Sequence, residues 1–180
     1  MESLARLLEK FAPVIFVLLW STGFIGAKMG LPHAEPFTFL SLRMLIVLLI
    51  LAPIVLFFVK ERPSGAAFFH SMVVGILVHS AYLGGVFFAI SRGMSAGVSS
   101  LVVALQPLIT VFLARAMLGE TMSRRQIIGL IVALAGVVLV LSPRLFGGIA
   151  LEGLNLVTLS SVALAVIGIS LGSVYQKRFA

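Results

Sequence analysis

Six stretches of about twenty apolar residues, each closed by a short polar break, constrain this chain more than any motif in it. Spanning about 30 Å of hydrocarbon takes ~20 residues of helix. The runs at 11–30, 37–59, 68–90, 97–118, 124–142 and 154–175 all meet or approach that length. Lys28 closes the first run, Arg43 interrupts the second, and His79 lies in the third. Pro107 falls in the middle of the fourth, with Arg115 near its end. Charged residues are only 11% of the 180 and mean hydropathy is +1.21, whereas a soluble domain carries about 25% charge on its surface. Water cannot be the main solvent of such a surface, so the helices face lipid.

The breaks use ordinary turn chemistry: Pro32 and Pro36 after the first run, Pro63-Ser64-Gly65 after the second and Arg92-Gly93 after the third. Gly119-Glu120 follows the fourth run, and Pro143 with the 147–148 glycine pair follows the fifth. Such short connections make neighbouring helices antiparallel. The first run lacks a clean small-x-small cleavage site and is followed at once by further spans, which favours a retained helix over a signal peptide.

The net charge of +7 and pI near 10.9 would suit a nucleic-acid binder. The basic residues are instead short clusters between apolar runs, so no nucleic-acid partner is expected. With the N-terminus in the cytoplasm, the inner segments hold Arg6, Lys10, Lys60, Arg62, Arg115, Arg124, Arg125, Lys177 and Arg178. The outer segments hold Lys28, Arg92 and Arg144. Nine against three follows the positive-inside rule and predicts a multi-pass inner-membrane protein with a cytoplasmic N-terminus.

Polar side chains in hydrocarbon are expensive and usually functional. Trp20, His79 and Gln106 lie at the centres of the first, third and fourth runs, which is the arrangement of a midplane solute site. Ser21 and Thr22 adjoin Trp20, and Tyr82 follows His79 by three residues, on the same helix face. Pro107 lacks an N–H and leaves the Val103 carbonyl without its helical donor, which marks a hinge. Each has a blander reading: a hydrogen-bonded His, a packed Trp, a merely structural kink. Arg43 lies about five residues from its helix centre, roughly 7–8 Å at 1.5 Å per residue. It either snorkels or attracts an anionic solute group. Glu120 reads as a cytoplasmic-loop ion pair with Arg124 and Arg125, or as a gate.

All six acidic residues are Glu, in loops or at helix ends. Only His79 could titrate at mid-depth near neutral pH, so uniport, exchange or export is favoured over a carboxylate proton relay. No H-E-x-x-H, no G-x-S-x-G and no Asp supports an enzyme, and without cysteine there is no thiolate metal site. Neither a cofactor nor a metal is expected. Small residues stripe the later helices: Gly129, Ala133 and Gly136 on the fifth, and Ser161, Ala165, Gly168 and Gly172 on the sixth. Gly26 and Gly30 line up at the end of the first. Close helix packing within the chain is the leading reading of these stripes, a dimer seam the other.

The fourth and fifth runs carry a family pattern: residues 96–105, Gln106-Pro107, Leu118-Gly119-Glu120, Gln126-Ile127-Ile128-Gly129 and Ala135-Gly136-Val137. Trp20-Ser21-Thr22-Gly23-Phe24 with Lys28, and Pro36, Phe37 and Arg43, extend it into the first two. In these the chain resembles EamA-type members of the drug/metabolite transporter superfamily. The resemblance implies ten helices in two inverted five-helix repeats around a central cavity, and export or exchange of amino acids, nucleobases, sugars, drugs and related metabolites. On that basis the chain is an all-α polytopic membrane helix bundle. Residues 1–145 form the first repeat, and 146–180 begin a second, inverted one, with Gly168, Gly172 and Lys177-Arg178 echoing Gly23, Gly26 and Lys28. The expected function is alternating-access transport of amino-acid-like or amphipathic solutes. Trp20, Ser21, His79, Tyr82, Gln106 and Arg43 line the site, Pro107 is its hinge and Glu120 a cytoplasmic gate or ion pair. The chain stops after six runs, so the alternatives are a truncated, non-transporting fragment or assembly partner, or a homodimer.

Overall fold

The computed structural model describes residues 2–60, 63–146 and 153–179, and gives backbone alone for 2–9, 140, 141 and 143–146. Of the sequence readings above, Glu61, Arg62, Glu152 and the 147–148 glycine pair lie outside the described residues. Six helices follow in order: α1 (Glu2–Gly30), α2 (Pro36–Phe58), α3 (Gly65–Ser91), α4 (Ala96–Leu118), α5 (Arg124–Phe146) and α6 (Leu156–Phe179). The chain is an all-α polytopic bundle with no strand among the described residues. Lys10–Gly30 of α1 together with α2, α3, α4 and α6 are long and apolar enough to cross a membrane.

Helix starts are set by hydroxyl and amide caps. Ser64 Oγ accepts from Ala67 N–H at 3.2 Å, and Ser95 Oγ from Val98 N–H at 3.2 Å. At α5, Gln126 Oε1 accepts from Ser123 N–H at 2.8 Å while Ser123 Oγ accepts from Gln126 N–H, a reciprocal capping box. Asn155 and Thr158 do the same for α6, and the Thr158 hydroxyl also donates to the Gly153 carbonyl at 2.6 Å. Gly153, at φ +69°, passes against the Gly93 carbonyl so closely that any Cβ there would collide with it. That approach fixes the α6 start against the α3–α4 turn.

α6 is the centre of the bundle, with Thr158, Val162, Ala165 and Ser170 fully buried. Its small residues admit α3: a Cβ on Gly168 would stand 2.9 Å from Ala81 Cβ, and one on Gly172 2.6 Å from Val78 Cγ2. Ser161 Oγ donates to the Gly85 carbonyl at 2.9 Å across the same seam. The sixth run therefore packs against the third and fourth. The stripe on α5 differs from expectation, because a Cβ on Gly129 or Gly136 meets nothing within 4 Å. A hollow opens between α4 and α5 there, so the small residues face space instead of a neighbouring backbone. On α1, Gly26 is likewise open, while Gly30 abuts the Phe39 ring. α1, α2 and α5 turn bare apolar side chains outward, Leu19, Phe57 and Ile128 among them.

Two helices depart from regular geometry where polar groups sit. Residues Ile76–Leu83 of α3 form a π-helical turn, a form that concentrates at functional sites. α4 is broken into Ala96–Val103 and Gln106–Leu118. The Pro107 ring crowds the preceding turn, and Ala104 and Leu105 compensate with tighter bonding, Leu105 N–H to Val102 O and Leu108 N–H to Leu105 O, both 3.1 Å.

Candidate functional site

The first hollow, about 270 Å³, lies among α1, α2 and α3. Its walls are largely aromatic and aliphatic, with Trp20, Arg43, His79 and Tyr82 supplying the polar groups. The Trp20 indole stacks on the Tyr82 ring with centroids 5.8 Å apart and planes 13° from parallel, and Phe16 continues the stack at 5.2 Å. The two polar residues that α3 contributes to this lining differ, with Tyr82 buried at 4% exposure and His79 exposed. Arg43 reaches the rim from α2 and is the only fixed charge in this lining.

A second hollow, about 610 Å³, lies on the other side of Trp20, between α1 and α4. Ser21, Ser100, Gln106 and Pro107 line it. Ser21 Oγ donates to Leu18 O at 3.0 Å and Ser100 Oγ to Gly97 O at 2.8 Å, which leaves each hydroxyl oxygen free as an acceptor. Behind the break in α4, the buried Ser170 hydroxyl of α6 reaches the Gln106 carbonyl at 3.4 Å. On either side of that break the Ser99 and Thr110 hydroxyls are buried without a partner among the described residues.

The third hollow, about 310 Å³, runs between α4 and α5 from Pro107 to Glu120. Glu120 pairs with Lys177 Nζ of α6 at 2.6 Å, and not with its near neighbours Arg124 and Arg125. Arg178 donates to the Met117 carbonyl at 2.7 Å, which caps the end of α4. Beside it His70 Nδ1 and the Tyr175 hydroxyl share a 2.8 Å hydrogen bond, and the His70 ring stacks on Phe179 at 5.0 Å.

The residues expected to line one site are thus distributed. Trp20, Arg43, His79 and Tyr82 share the first hollow, and Trp20, Ser21, Gln106 and Pro107 the second, with Trp20 between. Pro107 sits at the break of α4. Ser100, which the sequence offers only as a helix-packing residue beside Ser99, lines the second hollow. Sequence reasoning missed the His70–Tyr175 bond, whose members are 105 residues apart. No cluster of three metal-ligating side chains occurs among the described residues.

Residues 10–142 match the model of the EamA-like transporter family. Among curated relatives, one from Salmonella typhimurium, named a probable amino-acid metabolite efflux pump, is 27% identical over 94% of this chain and 54% of its own length. A relative of the same name from Escherichia coli is 26% identical over 92% of this chain and 52% of its own. An uncharacterized transporter from Archaeoglobus fulgidus is 29% identical over 83% and 52%. The chain spans about half the length of these relatives. No solved structure matches it.

Proposed function

Because the chain belongs to the EamA-like transporter family, we propose that it is a bacterial inner-membrane permease exporting amino-acid-like or amphipathic metabolites by alternating access. The observation that carries this reading is the pair of hollows flanking Trp20. One offers aromatic faces and a guanidinium, the other hydroxyls and an amide, with no carboxylate in either. A zwitterion with an apolar side chain matches both linings, and the efflux-pump names of the relatives agree with it. Uneven exposure of the hollows between two bundle conformations, with Pro107 flexing α4, is the proposed cycle. The nine-to-three charge count supports an orientation with the N-terminus and the Glu120–Lys177 end in the cytoplasm.

Proteoliposomes holding the chain, assayed with labelled amino acids, test the reading. Flux above that of empty vesicles is expected, abolished by His79→Leu or Gln106→Leu with membrane insertion unchanged. Normal flux in both variants would refute the site assignment. A second reading is a non-transporting segment or assembly partner acting through a second copy. Flux that depends on co-reconstituted partner chain, and is absent from the chain alone, selects that reading.

A further inference from the structure

The three hollows adjoin one another, each separated from the next by shared wall residues. Trp20 and Phe24 border both the first and the second, and Pro107 borders both the second and the third. Among the described residues, Arg43 is the only fixed cation lining the three hollows, and Glu120 the only carboxylate. The charges sit in the first and third hollows, with aromatic, hydroxyl and amide groups between.

Glu120 is already occupied. Its partner Lys177 is 65% exposed and Glu120 44%, so the pair is open to a competitor and holds weakly. Lysine presents a point charge on a flexible four-carbon stem, chemically a tethered alkylammonium. Removing it does not free α6, because Arg178 still caps α4 at Met117. The clasp at this end is redundant for structure, and one of its members uses the carboxylate that faces the third hollow.

We propose that Glu120 is an ammonium subsite in the wall of the third hollow and that Lys177 is its resident competitor, displaced by a solute's ammonium group. The subsite rests on the carrier reading above. It selects metabolites bearing a free primary or secondary amine, zwitterions among them, over the corresponding amides of that amine.

Equilibrium binding to the purified chain in micelles tests this with three probes: phenethylamine, phenylalanine and N-acetylphenylalanine. Glu120→Gln is expected to weaken phenethylamine and phenylalanine roughly tenfold, the scale of one charge-assisted contact. Lys177→Ala is expected to tighten both severalfold, and neither change should move N-acetylphenylalanine. The opposite signs separate a competitor from a structural clasp, in which both variants weaken all three probes and lower the melting temperature alike. That pattern, an unchanged affinity in Lys177→Ala, or no amine binding by the unmodified chain overturns the subsite. Vesicle flux keeps the two ideas apart: flux with Glu120-independent binding removes the subsite and leaves the carrier. Glu120-dependent amine binding without flux does the reverse.

Discussion

Trp20 sits in mid-helix, far from the membrane–water interface where an indole ordinarily finds both lipid and water. The residue is 37% exposed, and it forms the wall between two hollows. An aromatic stack of this kind contributes about 0.5–1.5 kcal/mol beyond its area. Trp20→Ala is therefore expected to lower the thermal stability of the micelle-held protein by at least that much and to abolish selective flux, because the hollows merge. Trp20→Phe keeps a face for Tyr82 and should retain most of both, as melting curves and vesicle assays will register. That Trp20, His79 and Gln106 were anomalous could be read from hydropathy alone, since a polar group in an apolar run stands out against its neighbours. Which of them share a hollow could not. The division depends on α3 and α4 lining different sides of α1 at Trp20, a tertiary arrangement that no local sequence signal announces.

At the level of helices, α4 and α6 decide the architecture. Pro107 deprives the Val103 carbonyl of its donor, and α4 breaks at Ala104-Leu105 in consequence. Pro107→Ala restores the donor, so a gain on the order of 1 kcal/mol in stability is expected, with slower turnover if the break flexes during transport. Melting temperature and flux measured on one preparation check both signs, and faster flux would argue against a hinge. The break itself was legible, because a proline in a long apolar run has a direct steric consequence. The placement of α6 was not. Its glycines advertise close packing, yet the same spacing on α5 faces an open hollow. Small residues permit a close approach without naming the partner, and the partner is selected by which backbone can reach them.

For the molecule as a whole, the charge bias predicts a single orientation, and the absence of cysteine makes that measurable. Ser123→Cys should react with a membrane-impermeant maleimide only in inside-out vesicles, and His33→Cys only in right-side-out ones. Labelling of both from one side would contradict the topology. The medium, the number of apolar runs, their antiparallel order and the membership of a transporter family all follow from residue order, because length against bilayer thickness and hydropathy are additive along the chain. The three adjoining hollows, the Glu120–Lys177 pair and the packing of α6 on α3 and α4 follow only from the folded bundle. Each joins residues many turns apart, and close packing between curved and broken helices settles such pairings where one-dimensional periodicity carries no information about them.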